Sequence, residues 1–213
     1  MMAKKTDNHN LPAKLALRRY FLRKYHSSGP AHVLDCCQGG GVLWKVLRKE
    51  FAVASYWGVD LKPRKGRLKI DSTRILAQTG WPQNVVDIDT YGSPWKHWEA
   101  MLPNVSRPTT VFLTSGMVAL GGTSLTKEVK EALGLGGIMP PKAIVAKLQA
   151  IAASYCLARA CNHNIIISEA IEAVSDGNAC YIGVRLEPIE NEQPGLQPGC
   201  SEHPIPEEEE SNV

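Results

Sequence analysis

The chain has 213 residues and a mass of 23.3 kDa, enough for one domain with a real core. At 44% hydrophobic and 21% charged residues it is neither fibrous nor disordered throughout. No run of 18 apolar residues occurs, which excludes a membrane-spanning helix of the usual kind.

The basic start has no apolar block behind it, which argues against a secretory signal. Six cysteines, at 36, 37, 156, 161, 180 and 200, never take the Cys-x-x-Cys spacing of a zinc site. A reduced cytoplasm is their natural setting. The net charge of +3 hides two unlike parts. Up to residue 186 there are 24 cationic and 13 acidic residues, a formal +11; residues 187–213 carry eight Glu and no Lys or Arg, a formal −8. So basic a body suits a nucleic-acid partner, with ordinary solubility charge as the alternative.

Residues 1–11 read as a flexible polar start. Residues 12–26 (PAKLALRRYFLRKYH) read as a basic helix opened by Pro12, with Leu15, Leu22 and Tyr25 on its apolar face and Arg18, Arg19, Arg23 and Lys24 in water. Ser27-Ser28-Gly29-Pro30 breaks it. Strand patterns follow at 31–36, 55–61, 67–70, 84–89 and 109–113, with helical stretches at 42–51 and 94–102. Asp71-Ser72 reads as a polar turn. Residues 116–139 are glycine-rich around one short helix at 124–133, and 141–161 is strongly helical. Two β-rich runs, 164–174 and 179–187, flank Ser175-Asp176-Gly177-Asn178, a turn that favours an antiparallel hairpin. The alternation predicts an α/β fold: a doubly wound, seven-stranded, mostly parallel sheet closed by that C-terminal hairpin. The domain is expected over residues 12–190, with an acidic disordered tail at 191–213.

Chemistry concentrates where strands end. The first strand runs through Asp35-Cys36-Cys37-Gln38-Gly39-Gly40-Gly41 into a helix. In open α/β sheets ligands sit beyond the carboxyl ends of strands, and glycines let the backbone approach them. Leu43 and Trp44 defeat the Gly-x-Gly-x-x-Gly pattern, and no Gly-Lys-Ser/Thr follows for a P-loop. Asp60 ends the second strand, 25 residues after Asp35, where a carboxylate accepts the hydroxyl protons of a ribose. Lys62, Arg64 and Lys65 next to it would instead suit a 2′-phosphate, which keeps an NADP-dependent oxidoreductase as an alternative. The fourth strand ends in Val85-Val86-Asp87-Ile88-Asp89-Thr90-Tyr91-Gly92-Ser93-Pro94-Trp95, an acidic strand end followed by a turn with an aromatic ring.

On these residues the chain resembles the class I S-adenosylmethionine (SAM) methyltransferases, a Rossmann-like family. Asp35, Gly39 and Gly41 match the family's first motif, Asp-x-Phe-x-Gly-x-Gly, with Cys37 at the aromatic position. The string Asp87–Pro94 is similar to the Asp-x-Asp-Pro-Phe-Gly-Ser-Pro of tRNA guanine-N2 dimethyltransferases; Thr90 replaces proline and Tyr91 phenylalanine. The close likeness covers about eight residues, the looser one roughly residues 31–187. It implies SAM as cofactor, held by Asp35, Gly39, Gly41, Asp60 and Asp71, with Asp71 facing the adenine amino group. It implies Asp89 and Tyr91 as catalytic residues, the first holding the acceptor amine and the second stacking on the base, and Ser93, Pro94 and Trp95 as substrate-binding.

The chemistry accounts for these residue types. An exocyclic base amine is a poor nucleophile because its lone pair is delocalised into the ring. A carboxylate and a main-chain carbonyl that accept its two N–H groups orient that lone pair without covalent catalysis, and an aromatic ring holds the base plane. Residues 87–95 contain no Cys for C5 chemistry, and six scattered His give no metal site. His97 reads as a surface or helix-capping residue. Trp81, Trp95 and Trp98 beside Lys96 either pack on the sheet or stack bases. Residues 114–122 read as a glycine-hinged lid, and the 12–26 helix as a cap on the sheet, a cofactor cover or a phosphate contact. The leading expectation is an N-methyltransferase of a nucleic-acid base amine in tRNA, rRNA or DNA. Little length is left for recognition, so specificity is expected from short loops, from substrate shape, or from a second copy or a partner protein. A catalytically inactive SAM- or nucleic-acid-binding module is the alternative.

Overall fold

A computed structural model describes residues 10–62, 68–90, 92–116, 127–139, 144–173 and 179–189. Among these, helices α1 (Leu11–Tyr25), α2 (Val42–Glu50), α3 (Ser72–Leu76), α4 (Trp95–Met101), α5 (Lys127–Ala132) and α6 (Val145–Ala158) surround six strands. The strands are β1 (Ala31–Asp35), β2 (Val53–Gly58), β3 (Val85–Ile88), β4 (Thr109–Gly116), β5 (Ile165–Ala173) and β6 (Ala179–Pro188). Their order in the sheet is β2-β1-β3-β4-β6-β5. The first four are mutually parallel; β6 runs antiparallel to both β4 and β5. From β1 the chain leaves to β2 on one side and later returns to β3 on the other. That reversal opens a crevice between the carboxyl ends of β1 and β3.

Strand pleating sorts side chains onto two faces. Val33, Val85, Phe112 and Tyr181 pack against α1 and α2 through Leu15, Phe21, Leu22, Trp44 and Leu47. Leu34, Val86, Ile88, Val111 and Leu113 pack on the other face with Trp95, Trp98, Met101, Val145, Ala152 and Cys156. Helices thus cover both faces, as double winding requires. By the same alternation Asp35 and Asp87, paired in register across β1 and β3, fall on the α1–α2 side.

Three expectations change. The third of seven anticipated strands, at 67–70, is not among the strands. Only the parallel bridge Asp60–Lys69 remains of it, because Asp71 caps α3 directly afterwards and leaves no length for a ladder. The polar turn at Asp71-Ser72 is the start of that helix. The helix expected to run to 161 ends at Ala158 and tightens into a 3₁₀ segment, Arg159–His163, which stops at Asn164 in the left-handed region (φ 55°). The turn at 175–178, the two terminal segments, most of the expected lid and Cys200 lie outside the described residues.

Candidate active site

The loop after β1 continues the sheet for one residue, with the Cys36 amide donating to the Asp87 carbonyl at 2.8 Å. The Gln38 amide then donates to the Val59 carbonyl at 3.0 Å and the Gly41 amide to the Gln38 carbonyl at 2.7 Å. Gly39 (φ 47°) and Gly41 (φ 63°) both lie in the left-handed region, which explains glycine at these two positions. Asp60 clasps this loop: one carboxylate oxygen accepts the Gly39 amide at 2.9 Å, the other the Lys62 amide at 2.8 Å. Gly39, Gly41 and Asp60, expected to share a ligand, are thus one structural unit at the end of β1 and β2.

Asp35 lies deeper. It is 4% exposed, and the Tyr56 hydroxyl donates to it at 2.7 Å while the Gln38 side-chain amide donates to Tyr56 at 3.0 Å. Burial first, and then the neighbouring Asp87 carboxylate, push its carboxyl up to about 8, against the pull of Tyr56 and Arg18. Asp35 therefore supports the loop from beneath. Burial likewise raises the Cys36 and Cys37 thiols, so both are held as uncharged thiols.

Asp71 caps α3, accepting the Thr73 amide at 3.0 Å and the Thr73 hydroxyl at 2.6 Å. The hydroxyl is the main reason its carboxyl falls below the usual range. His97, expected on the surface or at a helix cap, bridges α3 and α4 through the Ser72 hydroxyl at 2.9 Å, and burial lowers its pKa.

After β3, the Lys14 ammonium meets both Asp89 oxygens, at 2.6 and 2.8 Å. The Thr90 hydroxyl donates to the Thr114 carbonyl at 3.1 Å, anchoring to β4 the turn that lacks the family proline. Ser93 accepts the Trp95 amide at 3.4 Å just before α4. Pro94 is buried, and Trp95, 4% exposed, belongs to the core with Trp98, whose indole donates to the Cys156 carbonyl at 2.7 Å. Trp95 was expected on substrate; its ring is spent on packing, because α4 turns this side toward the sheet. Tyr91 lies outside the described residues.

Sequence reading missed the partners on α1. Arg18, expected in water, is 1% exposed and grips Asp87 through Nε at 2.8 Å and Nη2 at 2.6 Å. The Trp44 indole donates to the same carboxylate at 2.7 Å. Burial opposes the Arg18 charge, but the surrounding aspartates, Asp87 foremost, together outweigh it and raise its pKa. Among the described residues no cluster of His, Cys, Asp and Glu is placed to hold a metal, and no helix is long and apolar enough to cross a membrane.

The fold recurs in solved structures. Trm1 from Pyrococcus horikoshii, solved with S-adenosyl-L-methionine, aligns over 88% of this chain with a TM-score of 0.62 and 15% identity. This chain spans 59% of that protein's length. A hemolysin candidate from Lactococcus lactis aligns over 83% of this chain and 86% of its own (TM-score 0.55, 11% identity). The plantazolicin methyltransferase BamL, solved with a triazolic desmethylPZN analog and SAH, aligns over 84% and 85% (TM-score 0.51, 11% identity). No family model matches the sequence, and no curated protein does. The architecture is a Rossmann-like α/β sheet shared with these structures, one of them named a methyltransferase and one solved with S-adenosyl-L-methionine. The neighbours' own ligands and names differ.

Proposed function

We propose that the chain is a SAM-dependent N-methyltransferase whose acceptor is an exocyclic amine of a nucleic-acid base. One observation carries this reading: Asp89 directly follows β3 with a part-exposed carboxylate, and β3 is the strand next to β1, which leads into the Gly39–Gly41 loop that Asp60 clasps. A donor and an acceptor amine would meet between those two elements. The residues fit the donor. Glycine backbone at 39 and 41 admits close approach, and the Asp60 carboxylate keeps lone pairs beyond those given to the Gly39 and Lys62 amides, free for ribose hydroxyls. Asp71 at the start of α3 would lie toward the adenine. When bound, the donor supplies an electrophilic sulfonium methyl.

The chain's own groups supply orientation. Asp89 and a main-chain carbonyl near Thr90 accept the two N–H groups of the acceptor and direct its lone pair; Tyr91 stacks on the base; Ser93 and Pro94 shape the turn beneath it. After transfer the nitrogen releases a proton to solvent, and no covalent enzyme intermediate or metal is required. The exposed Arg23, Lys45, Arg48 and Lys49 on α1 and α2 give the basic body a face for phosphate. An inactive binding module is the second reading, motivated by the Lys14 ammonium already seated on Asp89.

The test is methyl transfer from isotopically labelled SAM to bulk tRNA, rRNA and DNA, followed by nucleoside mass spectrometry. Label in an N-methylated base supports the proposal. Donor binding by calorimetry without transfer to any of the three favours the inactive module.

A further inference from the structure

We propose that Lys14 is a specificity-determining residue: it reserves the acceptor position at Asp89 for a neutral, weakly basic nitrogen and rejects ammonium groups. The inference rests on the proposed acceptor site and names the class of nitrogen it takes.

A lone carboxylate at a crevice mouth is an attractive seat for any cation. Asp89 is not alone. Its two oxygens, on a side chain that is 26% exposed, are both engaged by the Lys14 ammonium. Lys14 is no surface residue that happens to reach the site. Its side chain is 6% exposed. Its ammonium lies 5.1 Å from the Tyr181 ring centroid, a cation–π contact, and its carbonyl accepts Arg18 Nη1 at 3.2 Å. Helix α1 therefore delivers a fixed positive charge to this carboxylate.

The neighbouring charges cancel. Arg18 neutralises Asp87 in a buried fork, and Asp35 behind them holds its proton at neutral pH. With Lys14 on Asp89 the whole group of two cations, two carboxylates and one carboxyl is neutral. An incoming alkylammonium would bring a second positive charge onto the carboxylate that Lys14 already holds, within a few ångströms of an Nζ on a side chain only 6% exposed. Each carboxylate oxygen still has a lone pair to offer. An aromatic amine can donate its N–H groups there and add no charge. Lysine side chains and polyamines, protonated at neutral pH, cannot.

The probe is n-butylammonium, with its affinity for the full chain measured by NMR titration in the presence of S-adenosylhomocysteine. Wild type is expected to bind it at least tenfold more weakly than Lys14→Met and Lys14→Gln. Lys14→Arg should behave as wild type, and the double variant Lys14→Met/Asp89→Asn should lose the gain. A merely structural lysine would not yield a gain of cation binding when removed. Equal affinity in wild type and both neutral variants overturns the proposal, as does a gain that survives loss of Asp89. Should Lys14→Met fail to fold, Lys14→Gln carries the comparison. Should both fail, the wild type decides alone: chemical-shift changes at Asp89 with millimolar n-butylammonium overturn the proposal, and their absence supports it. Methyl transfer to nucleic acid is scored separately. Its absence alongside the cation selectivity rejects the proposed function and leaves this inference standing.

Discussion

Arg18 closes on both oxygens of Asp87 from α1, at 2.8 and 2.6 Å, with neither side chain more than 2% exposed. Removing Arg18 from so buried a pair leaves the Asp87 charge without solvent or counter-ion, with the Trp44 indole as its remaining side-chain partner among the described residues. Arg18→Met is therefore expected to destabilise the protein by about 3–5 kcal/mol. Replacing both, as Arg18→Met/Asp87→Leu, should recover most of that loss, since apolar packing replaces a pair that had cost desolvation. Urea unfolding of the three proteins checks this. A single-variant loss below about 1 kcal/mol would mean that the fork contributes little.

The same pair explains what the sequence disclosed and what it hid. The parallel strands announced themselves through apolar runs ending in Asp or Gly, and all six described strands lie within three residues of their expected places, with β4 extended to Gly116 by its pairing with β6. The glycine loop and Asp60 were legible because φ and ribose chemistry dictate residue type. The α1 contacts were not, because Arg18 looks like any helix-surface arginine until its partner is known. One signal was available. Lys14 and Arg18 are one helical turn apart, about 6 Å, and Asp89 and Asp87 two strand residues apart, about 6.6 Å. A helix running antiparallel to β3 brings both pairs into register at once. The two spacings match only after the tertiary arrangement is assumed, which periodicity within a single element cannot supply.

Asp89 has two consequences that a double variant separates. Asp89→Ala should nearly abolish methyl transfer while sparing donor binding, because it removes the acceptor's orienting group and not the Asp60 clasp. It should also destabilise the fold by about 1–3 kcal/mol, since the buried Lys14 ammonium loses its charge partner. Adding Lys14→Met should restore the stability and none of the turnover. Turnover returning with stability would show that Asp89 acts only through folding.

Asp60→Ala should weaken donor binding by about 1–3 kcal/mol through lost hydroxyl partners, and more if the Gly39 loop relaxes when its amide loses the carboxylate. Calorimetry with SAM measures the loss. Asp60→Asn distinguishes the two causes: it keeps one acceptor for the Gly39 amide and discards the charge. Unchanged SAM affinity in both variants would reject Asp60 as a donor ligand.

The pH dependence of stability has opposed sources, the histidines His26 and His97 on one side and Asp35 on the other. His26 is buried against the Thr110 hydroxyl at 3.0 Å, and burial lowers its pKa from 6.5 to about 4. Between those values the unfolded chain binds the proton, so this group makes stability rise with pH, steeply below about 6.5 and only slightly above it. Asp35 does the reverse. Its folded value of about 8 lies above the unfolded 3.8, so the folded chain holds the proton over that interval and this group's contribution falls as pH rises. From pH 6.5 to 7.5 the histidine contribution dies away and that of Asp35 dominates. Wild-type stability should fall across that unit, by less than about 1.4 kcal/mol, and Asp35→Asn should abolish the fall while keeping an acceptor for Tyr56. Urea midpoints at pH 6.5, 7.0 and 7.5 suffice; a wild-type slope that is flat or rising would mean that Asp35 is ionised beside Asp87 in the folded protein.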